Sequence, residues 1–281
     1  MTKTQINQYY KNLEHLVSND FEKHLLKACL NNLLDVDNKL RFNNFSSGIR
    51  ELSRHILSTL APDNEVLKCV WYKDETKISR QVTRGQKIKY AIQGGLNDKY
   101  IIKRGLDIET YKKSVLDAIN LLNKYTHVNE ESFGISDAEV LKLSNLVVSA
   151  FSNFINGIND CRNLIIVELE EDIDNVLIEH TIKENIDDID ILSTHHNIEY
   201  LQIDTIKIVG ITHDIINASA DGNIHVHQQF GSDGDVSRGD GVEWDTSFPF
   251  NGEIAISITY PLSKAEILIK SFHVDTDDWY E

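Results

Sequence analysis

The chain has 281 residues, 41% of them apolar, and a formal net charge of −16. It exceeds the roughly 100–200 residues of one ordinary domain and can bury a real core, so two domains are expected. Its three cysteines, Cys29, Cys69 and Cys161, are too far apart for a disulfide framework or a cysteine zinc site. The amino terminus lacks the apolar core of a secretion signal and no run approaches the roughly 20 apolar residues of a membrane span, so a soluble cytoplasmic protein without membrane contact is expected.

Charge is divided unevenly along the chain. Residues 1–150 hold 22 Lys and Arg against 18 Asp and Glu, a balance of +4, and the remainder holds 6 against 26, a balance of −20. A phosphate-binding surface fits the first part, whereas the second should repel polyanions or attract cations and basic partners.

The first predicted helix covers about Gln5 to Val17. Asn19 and Glu22 have capping-box spacing and open a second helix through Phe21, Leu25, Leu26, Cys29, Leu30 and Leu33. Phe45–Asp63 predicts a third, in which Ile49, Leu52, Ile56, Leu57 and Leu60 recur at helical spacing and Pro62 marks the stop. Arg50, Glu51, Arg54, His55 and Ser58 cover its opposite arc. Pro62-Asp-Asn-Glu then begins a helix carrying Val66, Leu67, Val70 and Trp71.

The next stretch is basic, with Lys73, Lys77, Arg80, Arg84, Lys87 and Lys89 interleaved with Tyr72 and Tyr90. Such a segment can hold RNA phosphates and stack a base, although a solvated helix face has the same composition. Gln93-Gly94-Gly95-Leu96 reads as a turn, since no Gly-Lys-Ser/Thr follows to make a phosphate loop. Further helices are expected over Asp107–Tyr125 and from Ser136 to about Asn156, the second opened by Ser136 with Glu139 and ended at Gly157.

Ile165–Glu170 reads as a strand. With the acidic cluster Glu168, Glu170, Glu171, Asp172 and Asp174 it places a domain boundary near 160, giving domains 1–160 and 161–281. A helix over Asp174–Glu184 and an acidic loop at Asp187, Asp188 and Asp190 lead into stretches 198–211, 213–229, 252–260 and 264–274, rich in Ile, Val and Thr. These predict an antiparallel sheet with one buried face. The intervening Gly231–Gly252 reads as a long functional loop. The expected fold class is α+β in two domains, a helical bundle followed by an acidic, mainly antiparallel β domain.

RNA can be cut by its own 2′-hydroxyl, so cleavage needs a proton acceptor near pH 7, a donor for the leaving 5′-oxygen, and positive charge on the developing phosphorane. His55 and Arg50 can fill these roles, with Arg54 as a second clamp. Glu51, four residues before His55, is placed to orient its imidazole. Arg50 and His55 are five positions apart, about 140° around the helix, so they converge only through Arg50's reach or through a second copy.

The pair Arg50-x-x-x-x-His55, on a helix near the amino terminus, resembles the signature of the HEPN superfamily of ribonucleases. That resemblance implies an HEPN-like helical domain, RNA cleavage without a metal or other cofactor, a homodimer that builds a shared site, and a toxin or antiviral-defence role. LAPDNEV at Leu60–Val66, QGGL at Gln93–Leu96, HQQFGSDGD at His227–Asp235, SFPF at Ser247–Phe250 and HVDTDDWYE at His273–Glu281 resemble predicted prokaryotic PIWI-associating nucleases. This second resemblance implies an anti-phage setting and a defence-system protein partner.

Two other readings remain open. His225 and His227 alternate on one strand and project the same way, a spacing suited to two ligands of one divalent metal, and Asp233 and Asp235 follow at once. A metal-dependent nuclease could use this set, and a polar strand leading into an Asp/Gly turn would look the same. Finally, a helical scaffold with an acidic β module could act without catalysis as a sensor or interaction protein.

Overall fold

Caps and apolar spacing account for the helices that begin the chain. In the computed structural model, which describes residues 1–184 and 186–277, Thr2 and Gln5 cap α1 (Lys3–Leu13) reciprocally. Asn19 opens α2 (Asp20–Asn32) by accepting the Glu22 N–H at 2.9 Å. The expected return bond from Glu22 is absent, because its buried carboxylate accepts instead from the backbone N–H and hydroxyl of Ser18, at 2.9 and 3.0 Å.

Helix α3 (Arg41–Leu60) starts earlier than Phe45 because buried Phe42 prolongs its apolar stripe. The helix expected from Pro62 through Trp71 is a single turn, α4 (Asp63–Val66), followed by α5 (Arg84–Gln93), α6 (Asp98–Lys103) and α7 (Ile108–Thr126). Helix α3 packs against α2, α5 and α7. Phe42 meets the Tyr125 ring edge-on at 4.9 Å, and the Asn43 amide donates to the Tyr125 carbonyl at 2.9 Å. Fully buried Leu26, Leu30, Leu33, Phe42, Phe45, Ile119 and Leu122 belong to this core.

Helix α8 (Asp137–Lys183) corrects two expectations, the helix end at Gly157 and the strand over Ile165–Glu170. Phe151, Phe154, Ile158, Cys161, Ile165, Leu169, Ile173 and Leu177 are all buried at spacings of three or four, one continuous helical stripe that outweighs the β-branched character of the Ile-Ile-Val run. Gly157 serves close packing rather than termination. A Cβ there would lie 3.0 Å from the ring of Tyr111, whose hydroxyl donates to Asp160 at 2.8 Å.

The chain forms two units, Met1–Cys161 and Arg162–Glu281. In the second, the expected acidic loop is a helical turn, α9 (Asp187–Asp190), with Ile189 buried. Strands β1 (His195–Ile211) and β2 (Ile215–Phe230), a short α10 (Asp233–Arg238), and strands β3 (Val242–Ser257) and β4 (Ile267–Val274) complete it. The sheet is antiparallel in the order β1-β2-β3-β4.

The supposed loop Gly231–Gly252 is therefore largely α10 and strand, since Phe248 and Phe250 alternate into the core. Pro249 is accommodated because β4 starts pairing with β3 only at Phe250. The core of this unit comprises Ile186, Ile189, Leu192, Ile224, Val226, Phe248, Phe250 and Val274.

Strand β1 carries register shifts between Ile198 and Tyr200, Ile203 and Thr205, and Ile208 and Gly210. Each adds one residue and resets the alternation, so Ile198, Leu201, Ile203, Ile206 and Ile208 all pair with buried positions of β2. At the middle of the ladder only glycine fits opposite β1, because a Cβ on Gly222 would lie 2.0 Å from the Gln202 carbonyl oxygen. No helix among the described residues is long and apolar enough to cross a membrane.

Helices α2 and α3 meet at Gly48, where a Cβ would fall 2.2 Å from the Cys29 sulfur. Gly48→Ala should therefore destabilise the protein, because overpacking costs about 1–3 kcal/mol while the gain in helix propensity is at most about 1 kcal/mol. In urea unfolding, adding Cys29→Ala should recover part of that loss; two penalties that simply add would contradict the contact.

Candidate nucleic-acid site

The carboxy-terminal half of α3 buries Ile49, Leu52, Ile56 and Leu57 and leaves Arg50, Glu51, Arg54 and His55 at least partly open to solvent. The Glu51 carboxylate accepts from Arg54 Nε at 3.1 Å and lies 3.8 Å from Arg50. It makes no hydrogen bond to His55, which corrects the expected Glu51–His55 pair: the guanidinium groups on either side capture the carboxylate. The His55 ring instead meets Phe21 edge-on, with centroids 5.3 Å apart and an interplanar angle of 72°. Phe21 is 58% exposed, an aromatic ring that the core does not cover. Sequence spacing had assigned Phe21 to the apolar side of α2 and so missed this neighbour of His55.

The basic segment separates into two groups. Lys73, Lys77, Arg80 and Arg84 are exposed. Lys87 is paired with Asp63, and Lys89 lies 2.7 Å from Asp98 and 4.5 Å above the ring of Trp71, so these two cations have protein partners. The loop carrying Lys73, Lys77 and Arg80 is organised by Asp74, whose carboxylate accepts from the Arg80 N–H (2.7 Å), the Tyr72 hydroxyl (2.8 Å) and the Ser79 hydroxyl (3.1 Å). The Arg80 N–H first, then those hydroxyls, hold the carboxyl below the usual range. Lys89, Gln93, Asp98, Ile101, Leu106 and Ile108 line a cleft of about 370 Å³ beside this segment.

On the sheet, His225 and His227 do share a face of β2. His225 stacks on Tyr200 at 4.1 Å, and its Nε2 is buried without a hydrogen-bond partner. His227 Nδ1 lies 2.7 Å from Asp245 Oδ1 on β3, a hydrogen bond that raises the imidazole's affinity for its proton, aided by the charges of Asp245, Glu243 and Glu199. Asp233 and Asp235 do not join the two histidines. Asp235 caps α10 with Ser232 and binds Arg238, and Asp233 accepts from Gln229 at 3.1 Å. Among the described residues the one set of three or more His, Cys, Asp or Glu with ligand atoms all within 4.8 Å is Glu199, His227 and Asp245, two of which lay outside the set read from the sequence.

A helical unit followed by an antiparallel sheet is an architecture open to many activities, and kinship supplies the class. Residues 14–151 match a family model described as predicted pPIWI-associating nuclease, and residues 158–280 match a second model of the same description. The class that both descriptions name is that of predicted nucleases. With matches in both units, the chain belongs to the predicted pPIWI-associating nucleases. No match was found among curated proteins or solved structures. Of the segment His273–Glu281, residues 278–281 lie outside the described residues.

Asp74→Ala should release the basic loop, seen as faster trypsin cleavage after Lys77 and Arg80 in the folded protein. Because Asp74's carboxyl is held below its ordinary value, the ordering is complete at neutral pH and is lost as pH falls through that lowered value. Protection of the loop's backbone amides, corrected for intrinsic exchange, should follow this course in the wild type as pH is lowered from 7, and a loop equally protected at pH 7 in Asp74→Ala would contradict it.

Proposed function

We propose that this nuclease is an endoribonuclease that cuts RNA at the α3 face without a metal, within a prokaryotic anti-phage defence or toxin system. The observation that carries the reading is the His55 imidazole, partly open to solvent and 5.3 Å from the exposed Phe21 ring, on the same helix as Arg50 and Arg54. An uncovered aromatic ring beside an imidazole offers a stacking surface for a base or for the same helix of a second copy.

In this mechanism His55 accepts the 2′-hydroxyl proton as that oxygen attacks phosphorus, and an imidazolium returns a proton to the departing 5′-oxygen. Arg50 donates to the non-bridging oxygens, where negative charge grows, and Arg54 is a second donor. Glu51 pairs with both guanidinium groups and makes no hydrogen bond to the imidazole. One copy supplies a single imidazole with neither arginine bonded to it. A homodimer brings each His55 to the other copy's Arg50, and the imidazolium formed when that His55 takes the 2′-hydroxyl proton is the acid that returns a proton to the 5′-oxygen. Lys73, Lys77, Arg80 and Arg84 hold the flanking phosphates as point charges and forks in solvent, which makes binding weaken with salt. A protein partner from the same defence system completes the setting.

His55→Ala should lower RNA cleavage in the presence of EDTA by roughly 10²–10⁴-fold while leaving the far-ultraviolet circular dichroism and the thermal midpoint unchanged. Phe21→Ala should chiefly raise KM. Cleavage that survives His55→Ala, or that EDTA abolishes in the wild type, would overturn the proposal.

A further inference from the structure

We infer that the solvent face of the sheet binds one divalent first-row transition-metal ion between Glu199, His227 and Asp245. The three come from neighbouring strands β1, β2 and β3. His227 and Asp245 are directly paired in the ladder, and Asn197 is the β1 residue opposite His227. Regular alternation after Asn197 would give this face one further residue of β1 by the position opposite His225, namely the partner of His225 itself. The register shift between Ile198 and Tyr200 supplies two, because Tyr200 is the partner of His225 and Glu199 is the inserted residue. The bulge thereby adds a carboxylate beside an imidazole that already has another carboxylate across the ladder.

The ligand atoms lie within 4.8 Å of one another. Tetrahedral zinc with bonds near 2.1 Å needs donors roughly 3.4 Å apart, which small rotations of these solvent-facing side chains provide. Glu243 is a fourth candidate, with Oε1 3.9 Å from His227 Nε2. One imidazole and two carboxylates suit Zn²⁺ or Mn²⁺ better than Mg²⁺ or Ca²⁺, which favour oxygen alone. Asp245 is 73% exposed on its side chain, so the remaining coordination positions face water or an incoming phosphate oxygen.

Comparison with other histidines of this unit sharpens the assignment. His196 lies 3.3 Å from Asp190 and His273 lies 3.5 Å from Asp188, yet neither pair gains a third ligand among the described residues. A general attraction of imidazole for acidic surface would produce pairs of this kind everywhere. Among the described residues the bulged site alone has the third group. Its residues belong to a different unit from α3, and the metal takes no part in the EDTA-resistant cleavage assigned to the α3 residues.

The test is a Zn²⁺ titration of full-length, chelator-stripped protein by isothermal calorimetry in a background of millimolar Mg²⁺, with Mn²⁺ paramagnetic resonance as a second probe. One saturable equivalent per chain is expected, weakened at least tenfold by Glu199→Gln and by Asp245→Asn and unchanged by His273→Gln. Both weakening substitutions are at exposed positions, and equal metal-free thermal midpoints would show that the fold is kept. The inference is overturned by the absence of a saturable equivalent, by wild-type affinity in Glu199→Gln and Asp245→Asn, or by an equal loss in His273→Gln.

Discussion

The contact between Gly48 and Cys29 determines how α3 can lie in the helical unit. With the Cys29 sulfur occupying the space of a Cβ, α2 and α3 approach closely, and the rotation of α3 is then set by Phe42, Phe45, Ile49, Leu52 and Ile56 turning inward together. Each such side chain contributes about 1.5–3 kcal/mol by leaving water. A turn of one residue about the helix axis would lose several of these and would carry a guanidinium toward the core, where an unpaired charge costs several kcal/mol more. Exposure of Arg50, Glu51, Arg54 and His55 is a consequence of that packing, and the proposed chemistry uses a surface that folding has no other use for.

The sheet works under a different constraint, the parity of its strands. A slip of one residue exchanges the two faces, so β1 can add residues to its solvent side only through bulges that restore the inward set afterwards. Its bulges do this while Ile198, Leu201, Ile203, Ile206 and Ile208 keep their buried partners on β2. They also interrupt an edge strand that would otherwise present a long flat ladder to other chains. Glu199 occupies one bulge and Asp204 another, where Asp204 accepts from Gln202 at 2.7 Å and from Asn223 at 3.3 Å. Two of the three insertions place a carboxylate on the outer face and the third places Val209 there, while the inward set keeps its buried partners.

Much of this was legible in the residues. The helices around Asn19, Ser136 and the stripe of α3 follow from caps and spacing, and the β-rich character of the second half follows from its Ile, Val and Thr. The length of α8 was also written in the sequence, as the unbroken spacing from Phe151 to Leu177, but Gly157 and the β-branched Ile165–Val167 weigh against a helix when read locally. Only the packed structure reveals that Gly157 makes room for Tyr111. In β1 the apolar spacing of three, two, three and two residues from Ile198 to Ile208 is the signature of bulges, and it conceals Glu199 from any search based on simple alternation. At the α3 face, sequence supplied the candidate residues but could not say which cation Glu51 would choose or that Phe21 would stay uncovered, since both depend on side chains from other turns and other helices.

The proposed chemistry requires that His55 of one copy meet Arg50 of another. Co-expressed Arg50→Ala and His55→Ala chains test it directly, because a mixed dimer retains one intact His55 and one intact Arg50 that can meet across the interface. Each variant alone should be inactive on RNA, and the purified mixed dimer should regain a substantial part of wild-type cleavage. A mixed dimer as inactive as its parents, beside an active wild type, would contradict a shared site.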